Sequence, residues 1–184
     1  MGVKDGFMGA SLMVKISFIL LLIANLFNWI AFTTASWGYF DFDGIANSLD
    51  GVGYGLWRRC GETISGCTVL DGTREDWYAT FQAFGIFGFV GINVAFLLLI
   101  LYMFAGPCKG NGEAKMATFI ICFVAAVCWL IAVIIFAAEF SVSGTSVDKL
   151  GFSFALAIIA LILAVVAGIL LIVDGKGGGG TSPA

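Results

Sequence analysis

A chain of 184 residues that is 60% hydrophobic and 11% charged, with a mean hydropathy of +1.04, lies far from the composition of a water-soluble domain, whose charged fraction runs near a quarter. The formal net charge is −3, and histidine is absent, which removes the commonest general base, Ser-His-Asp triads and His-bearing metal sites. Four long apolar runs nearly exhaust the length, leaving no room for a separate soluble domain.

The first run, at about 12–34, is long enough to cross the hydrocarbon as a helix. Its apolar stretch from Ile16 to Phe32 is 17 residues, longer than the hydrophobic region of a cleaved signal. The small residues at Thr33-Thr34-Ala35 are therefore read as the end of a retained span. Asn25 and Asn28 fall at i and i+3 on one face, where amides in hydrocarbon call for interhelical hydrogen bonds.

The segment at about 35–78 has strand character and is the one patterned polar stretch of the chain. Trp37–Asp43 and Tyr54–Cys60 are short and aromatic-rich, separated by Asp50-Gly51, and Cys67–Leu70 stops at Asp71-Gly72. Three short strands in a small antiparallel cap are expected. Cys60 and Cys67, six residues apart among turn formers, read as a disulfide in an oxidising exterior.

The second span is expected at about 79–104 and ends at Gly106-Pro107, followed by a short loop at 105–115. Cys108, at the membrane edge of that loop, is a candidate for palmitoylation. The third span is placed at about 116–138, with Cys122 and Cys128 read as small packing residues. A second outer loop at 139–150 leads to the fourth span at about 151–173, and 174–184 forms a Gly-rich flexible tail. Gly85, Gly88 and Gly91, and likewise Ala160, Ala164 and Gly168, form small-residue faces suited to close helix packing inside the bundle.

Both ends of such a chain lie on one side. Lys4, Lys15, Lys109, Lys115 and Lys176 face Asp5, Glu113 and Asp174 there, a net of +2. The opposite loops carry Arg58, Arg59, Arg74 and Lys149 against nine acids, including Asp41, Asp43, Glu62, Asp71, Glu75 and Asp76, a net of −5. The positive-inside tendency puts the termini in the cytosol and the long loop outside.

The ordered set Trp37, Gly55-Leu56-Trp57, Cys60 and Cys67, between spans one and two, resembles the W…GLW…C…C signature of the claudin superfamily. That superfamily also holds peripheral myelin protein, the epithelial membrane proteins, the lens fibre membrane intrinsic protein and the calcium-channel gamma subunits. The resemblance implies an all-α membrane protein with a small β cap: a left-handed four-helix transmembrane bundle with an extracellular antiparallel sheet, one strand of it from the second loop. It also implies that Trp37 and the Leu56-Trp57 pair sit at the membrane-facing base of the sheet. Three departures stand out. Gly85 follows Phe81-Gln82-Ala83-Phe84 where claudins commonly carry Arg, the two cysteines are closer than usual, and the tail ends Thr181-Ser-Pro-Ala184 rather than in a strong PDZ ligand.

Function follows from what is present and absent. No phosphate-binding loop occurs, and the cores of spans two to four carry no charged side chain of the kind transporters use at depth. No cofactor, no enzymatic activity and no nucleic-acid partner are expected. The resemblance implies a structural protein of cell–cell junctions, self-associating in cis and trans and shaping adhesion and paracellular permeability. The alternative is an auxiliary subunit of a channel or receptor. Asp41, Asp43, Glu62, Asp71, Glu75 and Asp76 are the candidate recognition or charge-selectivity residues. The absence of an Asn-x-Ser/Thr acceptor tilts the choice toward claudin-like members, and Ala184 is a poor anchor for a PDZ scaffold.

Overall fold

The computed structural model describes residues 3–40, 52–61, 66–70, 75–142 and 147–177. In chain order these form helices α1 (Val3–Gly9) and α2 (Leu12–Thr33) and strands β1 (Gly38–Phe40), β2 (Val52–Tyr54), β3 (Arg58–Gly61) and β4 (Gly66–Val69). Helix α3 (Asp76–Phe104), a 3-10 turn (Gly106–Cys108), α4 (Gly112–Val142), β5 (Val147–Leu150) and α5 (Phe152–Gly177) follow. The short α1 was not anticipated from hydropathy, because seven residues cannot cross a membrane. Ser11 separates it from α2 and caps the latter, its hydroxyl accepting from the Val14 amide at 3.2 Å.

Four helices, α2 to α5, are long and apolar enough to cross a membrane. Helix is forced there, since backbone donors and acceptors find no partner in hydrocarbon except along the same segment. The four close into a ring, α2 packing on α3 and α5, and α4 on α3 and α5. Small residues fill the inside: Ala24, Ala95, Ala125, Ala132, Ala157, Ala160, Ala164 and Ala167 are buried, while large residues such as Leu26, Phe87, Val124 and Ile162 face outward. This arrangement lets backbones approach closely, which is where packing energy comes from when the solvent is itself apolar. The glycine face of α3 is used internally, Gly85 lying against Leu56, Gly88 against Trp129 and Gly91 against Ala125. Cys122 is buried and Cys128 half-buried within α4.

One end of the ring is tied by polar groups. Lys115 Nζ at the start of α4 pairs with Asp174 Oδ2 at the end of α5 at 2.9 Å, and the Ser11 hydroxyl donates to the other oxygen of the same carboxylate. The other end carries the sheet. Its five strands are all antiparallel in the order β4-β3-β2-β1-β5. Tyr54–Cys60, expected as one strand from its composition, reverses within itself. Tyr54 ends β2, Arg58 begins β3, and Gly55-Leu56-Trp57 is the turn between them, closed by the Gly55 amide donating to the Arg58 carbonyl at 2.9 Å. The strand from the second loop joins at the β1 edge, Gly38 opposite Leu150.

Candidate functional site

The residues that carry the sequence pattern converge at the junction of sheet and bundle. Trp37 follows α2 by a few residues and is fully buried. Its indole N–H donates to the Ala31 carbonyl at 2.7 Å, freed at the helix end. The ring is stacked against Trp129 at 5.8 Å and meets Phe81, Phe136 and Phe154 edge-on at 4.9, 5.4 and 6.1 Å. Its backbone is engaged on both sides, the amide donating to Tyr54 at 2.7 Å and the carbonyl accepting from Gly151 at 2.8 Å. A single residue thus joins α2, both loops and the aromatic centre of the bundle. A Trp at this position could have been a lipid-interface anchor. Complete burial makes it a core residue instead.

The β2–β3 turn points down into the bundle. Gly55 packs against the exit of α2, and a Cβ there would fall 2.6 Å from the Ala35 Cα and closer still to the Thr34 carbonyl oxygen. Only glycine allows this backbone-on-backbone approach. Leu56 is fully buried against Gly85 of α3, where an added Cβ would meet both Leu56 methyls at 3.1 Å. A side chain larger than glycine at position 85 would therefore press on Leu56. Trp57 is half-buried, edge-on to Phe32 at 5.3 Å. Its indole N–H is buried and has no hydrogen-bond partner among the described residues.

Two polar residues of α3 hold the turn from below. The Tyr78 hydroxyl donates to the Gly55 carbonyl. Gln82 Nε2 donates to the carbonyls of Leu56 at 2.9 Å and Leu70 at 3.1 Å. These latches were not singled out from sequence. The available signal was their spacing, i and i+4 at the outer start of a span, which puts two hydrogen-bonding side chains on one helix face. Arg58 completes the contact, its Nη2 donating to the Thr33 carbonyl at 2.9 Å.

Away from the bundle the hairpin β3–β4 is closed by the Cys60–Cys67 disulfide, whose cysteines are directly opposed in the register. Arg59 Nε donates across the same pair of strands to Thr68 Oγ1 at 2.9 Å. The strand ends remote from the bundle are Phe40, Val52, Gly61, Gly66 and Val147, and these are the points at which the unpatterned connections begin. Of the acidic candidates, Asp41, Asp43, Glu62 and Asp71 lie outside the described residues, while Glu75 and Asp76 are exposed at the start of α3. Cys108 sits in the 3-10 turn at the opposite end, half-buried and unbridged.

No group of three or more His, Cys, Asp or Glu side chains suited to a metal ion occurs among the described residues. Aromatic packing, backbone approach and hydrogen bonds together fix the sheet to the bundle. A comparison with curated proteins finds no match. The family model described as PMP-22/EMP/MP20/Claudin matches residues 7–171, almost the whole of the chain and all of the anchored sheet. The chain therefore belongs to the PMP-22/EMP/MP20/Claudin family, a family of structural membrane proteins.

Proposed function

We propose that this protein is a non-catalytic, claudin-like component of cell–cell contacts in the plasma membrane, with its sheet outside and both termini in the cytosol. The observation that carries the reading is that, among the described residues, the sheet is held to the bundle through one of its ends. Trp37, Gly55, Leu56 and Gly151 seat its near end in the bundle, and the strand ends Phe40, Val52, Gly61, Gly66 and Val147 lie at the far end. A surface built this way suits contact with a neighbouring cell. The basic residues Lys15, Lys109 and Lys115 at the opposite end support a cytosolic placement of that side.

The acidic excess of the loops supports a preference for cations if the protein lines a paracellular path, because fixed carboxylates raise the local cation concentration. Asp41, Asp43, Glu62, Asp71, Glu75 and Asp76 are the residues proposed for that role. The test is expression in epithelial cells that lack junctional strands. Enrichment at cell contacts with a changed transepithelial resistance is the expected result. Absence of both, with co-purification of a channel or receptor, would move the assignment to an auxiliary subunit.

A further inference from the structure

The seam between α2 and α3 differs from the small-residue interfaces elsewhere in the ring. Trp29 lies edge-on to Phe89 at 4.8 Å, and Phe89 stacks on Phe32 at 4.0 Å. Beside this aromatic row sit three asparagines. Asn28 is fully buried and has both ends of its amide engaged: its nitrogen donates to the Phe89 carbonyl at 3.1 Å and its oxygen accepts from Trp129 Nε1 at 2.8 Å. Asn93 is also engaged, its oxygen accepting from Asn25 Nδ2 at 3.2 Å and from Trp29 Nε1 at 3.1 Å, its nitrogen donating to Phe89 at 2.8 Å.

Asn25 is different. One of its N–H groups binds Asn93, while its carbonyl oxygen and second N–H have no protein partner among the described residues. The residue is half-buried at the outer face of the bundle, flanked by Leu22, Leu26 and Trp29, which are 49%, 58% and 49% exposed. At 1.5 Å per residue it lies about 20 Å from the Leu12 end of α2 and about 12 Å from the Thr33 end, deep in hydrocarbon. Lipid chains offer it nothing, and an unsatisfied amide there carries a free-energy cost that association with a polar partner relieves.

We propose that this face of α2 is a dimerisation surface within the membrane, and that its occupant is a second copy of the same chain. A carboxamide carries a donor and an acceptor together, so two Asn25 side chains related by a two-fold axis complement one another. A charged residue could not do this. Leu22, Asn25 and Trp29 are spaced three and four apart, the seam spacing of a left-handed pair of parallel helices, and copies inserted in one bilayer are necessarily parallel. Leu22, Leu26 and Trp29 bring no charge that would repel an identical face. The inference gives the self-association of a claudin-like protein a definite surface. It concerns contacts within one bilayer and does not depend on a junctional role.

The test uses the full chain in phosphatidylcholine vesicles that contain no other protein. Energy transfer between donor- and acceptor-labelled copies, titrated against the protein-to-lipid ratio, measures the dissociation constant. Asn25→Leu is expected to weaken association by about tenfold, and Asn25→Gln, which keeps both hydrogen-bonding functions, to retain most of it. A second readout leaves Asn25 in place: with Cys108→Ala and Cys128→Ala as background, Leu22→Cys is expected to cross-link to its own copy under mild oxidation, and Ile162→Cys on α5 is not. Unchanged association in Asn25→Leu, cross-linking equal at both positions, or a chain that stays monomeric at the highest protein-to-lipid ratio would overturn the proposal.

Discussion

Replacing Gly55 with alanine tests the view that the sheet is held by backbone contact. The new methyl would lie 2.6 Å from the Ala35 Cα and 3.0 Å from the Thr34 carbonyl carbon. Carbon atoms rest at about 3.5–4.0 Å, so the turn and the end of α2 must part by about 1 Å. Neither side yields easily. The Thr34 amide and hydroxyl both donate to Ile30, and that hydroxyl lies 2.6 Å from Ser153 Oγ, so the helix exit is pinned. Withdrawal of the turn would instead break Tyr78 from Gly55 or Gln82 from Leu56. Overpacking costs about 1–3 kcal/mol and one lost buried hydrogen bond about 1 more, giving a destabilisation of about 2–4 kcal/mol. Unfolding in mixed detergent micelles, followed by tryptophan fluorescence, measures it. Gly112→Ala is the control, since nothing lies within 4 Å of that position, and its effect should stay within about 0.5 kcal/mol. If Gly55→Ala were as silent as Gly112→Ala, the backbone-contact argument would be wrong.

Asn28→Leu strands the Trp129 indole N–H inside the bundle and should cost about 1–2 kcal/mol in the same unfolding assay. Gln82→Leu leaves the Leu56 and Leu70 carbonyls unpaired and should loosen the turn, read as faster proteolysis near Arg58 and Arg59 with the helices intact. Cys60→Ala with Cys67→Ala removes a closure of sequence separation 7, for which loop entropy gives about 2.5 kcal/mol, and an unfolding midpoint unchanged from wild type would contradict that. Lys115→Met removes the ion pair to Asp174 and should cost about 1 kcal/mol, which added salt would not restore.

The helical part of this fold was legible because hydrocarbon leaves the backbone little choice: a run of about 20 apolar residues must satisfy its own hydrogen bonds. The disulfide and the existence of a cap were legible for a similar reason, few alternatives being open to two cysteines in one polar loop. The turn at Gly55-Leu56-Trp57 has the local pattern of a strand. Its aromatic content mimics β-propensity, and the reason for the reversal lies in residues far away in sequence, Thr34, Ala35 and Gly85. The depth of Trp37 was equally hidden, since a Trp next to a span end reads as an interface residue until Phe81, Trp129, Phe136 and Phe154 are seen around it. Such pockets are tertiary facts, assembled from three helices, and local pattern carries no trace of them.

The placement of β5 beside β1 bears on how the protein is made. β1 leaves the ribosome early, but the strand that covers its outer edge and three walls of the Trp37 pocket, Trp129, Phe136 and Phe154, belong to the second half of the chain. Until the last span is inserted, β1 is an open edge and a large indole lacks its enclosure, both features that invite mispairing. Completion of the sheet therefore coincides with completion of the bundle. A chain truncated or misthreaded before α5 would display its defect at the membrane surface, where cellular quality control can recognise it.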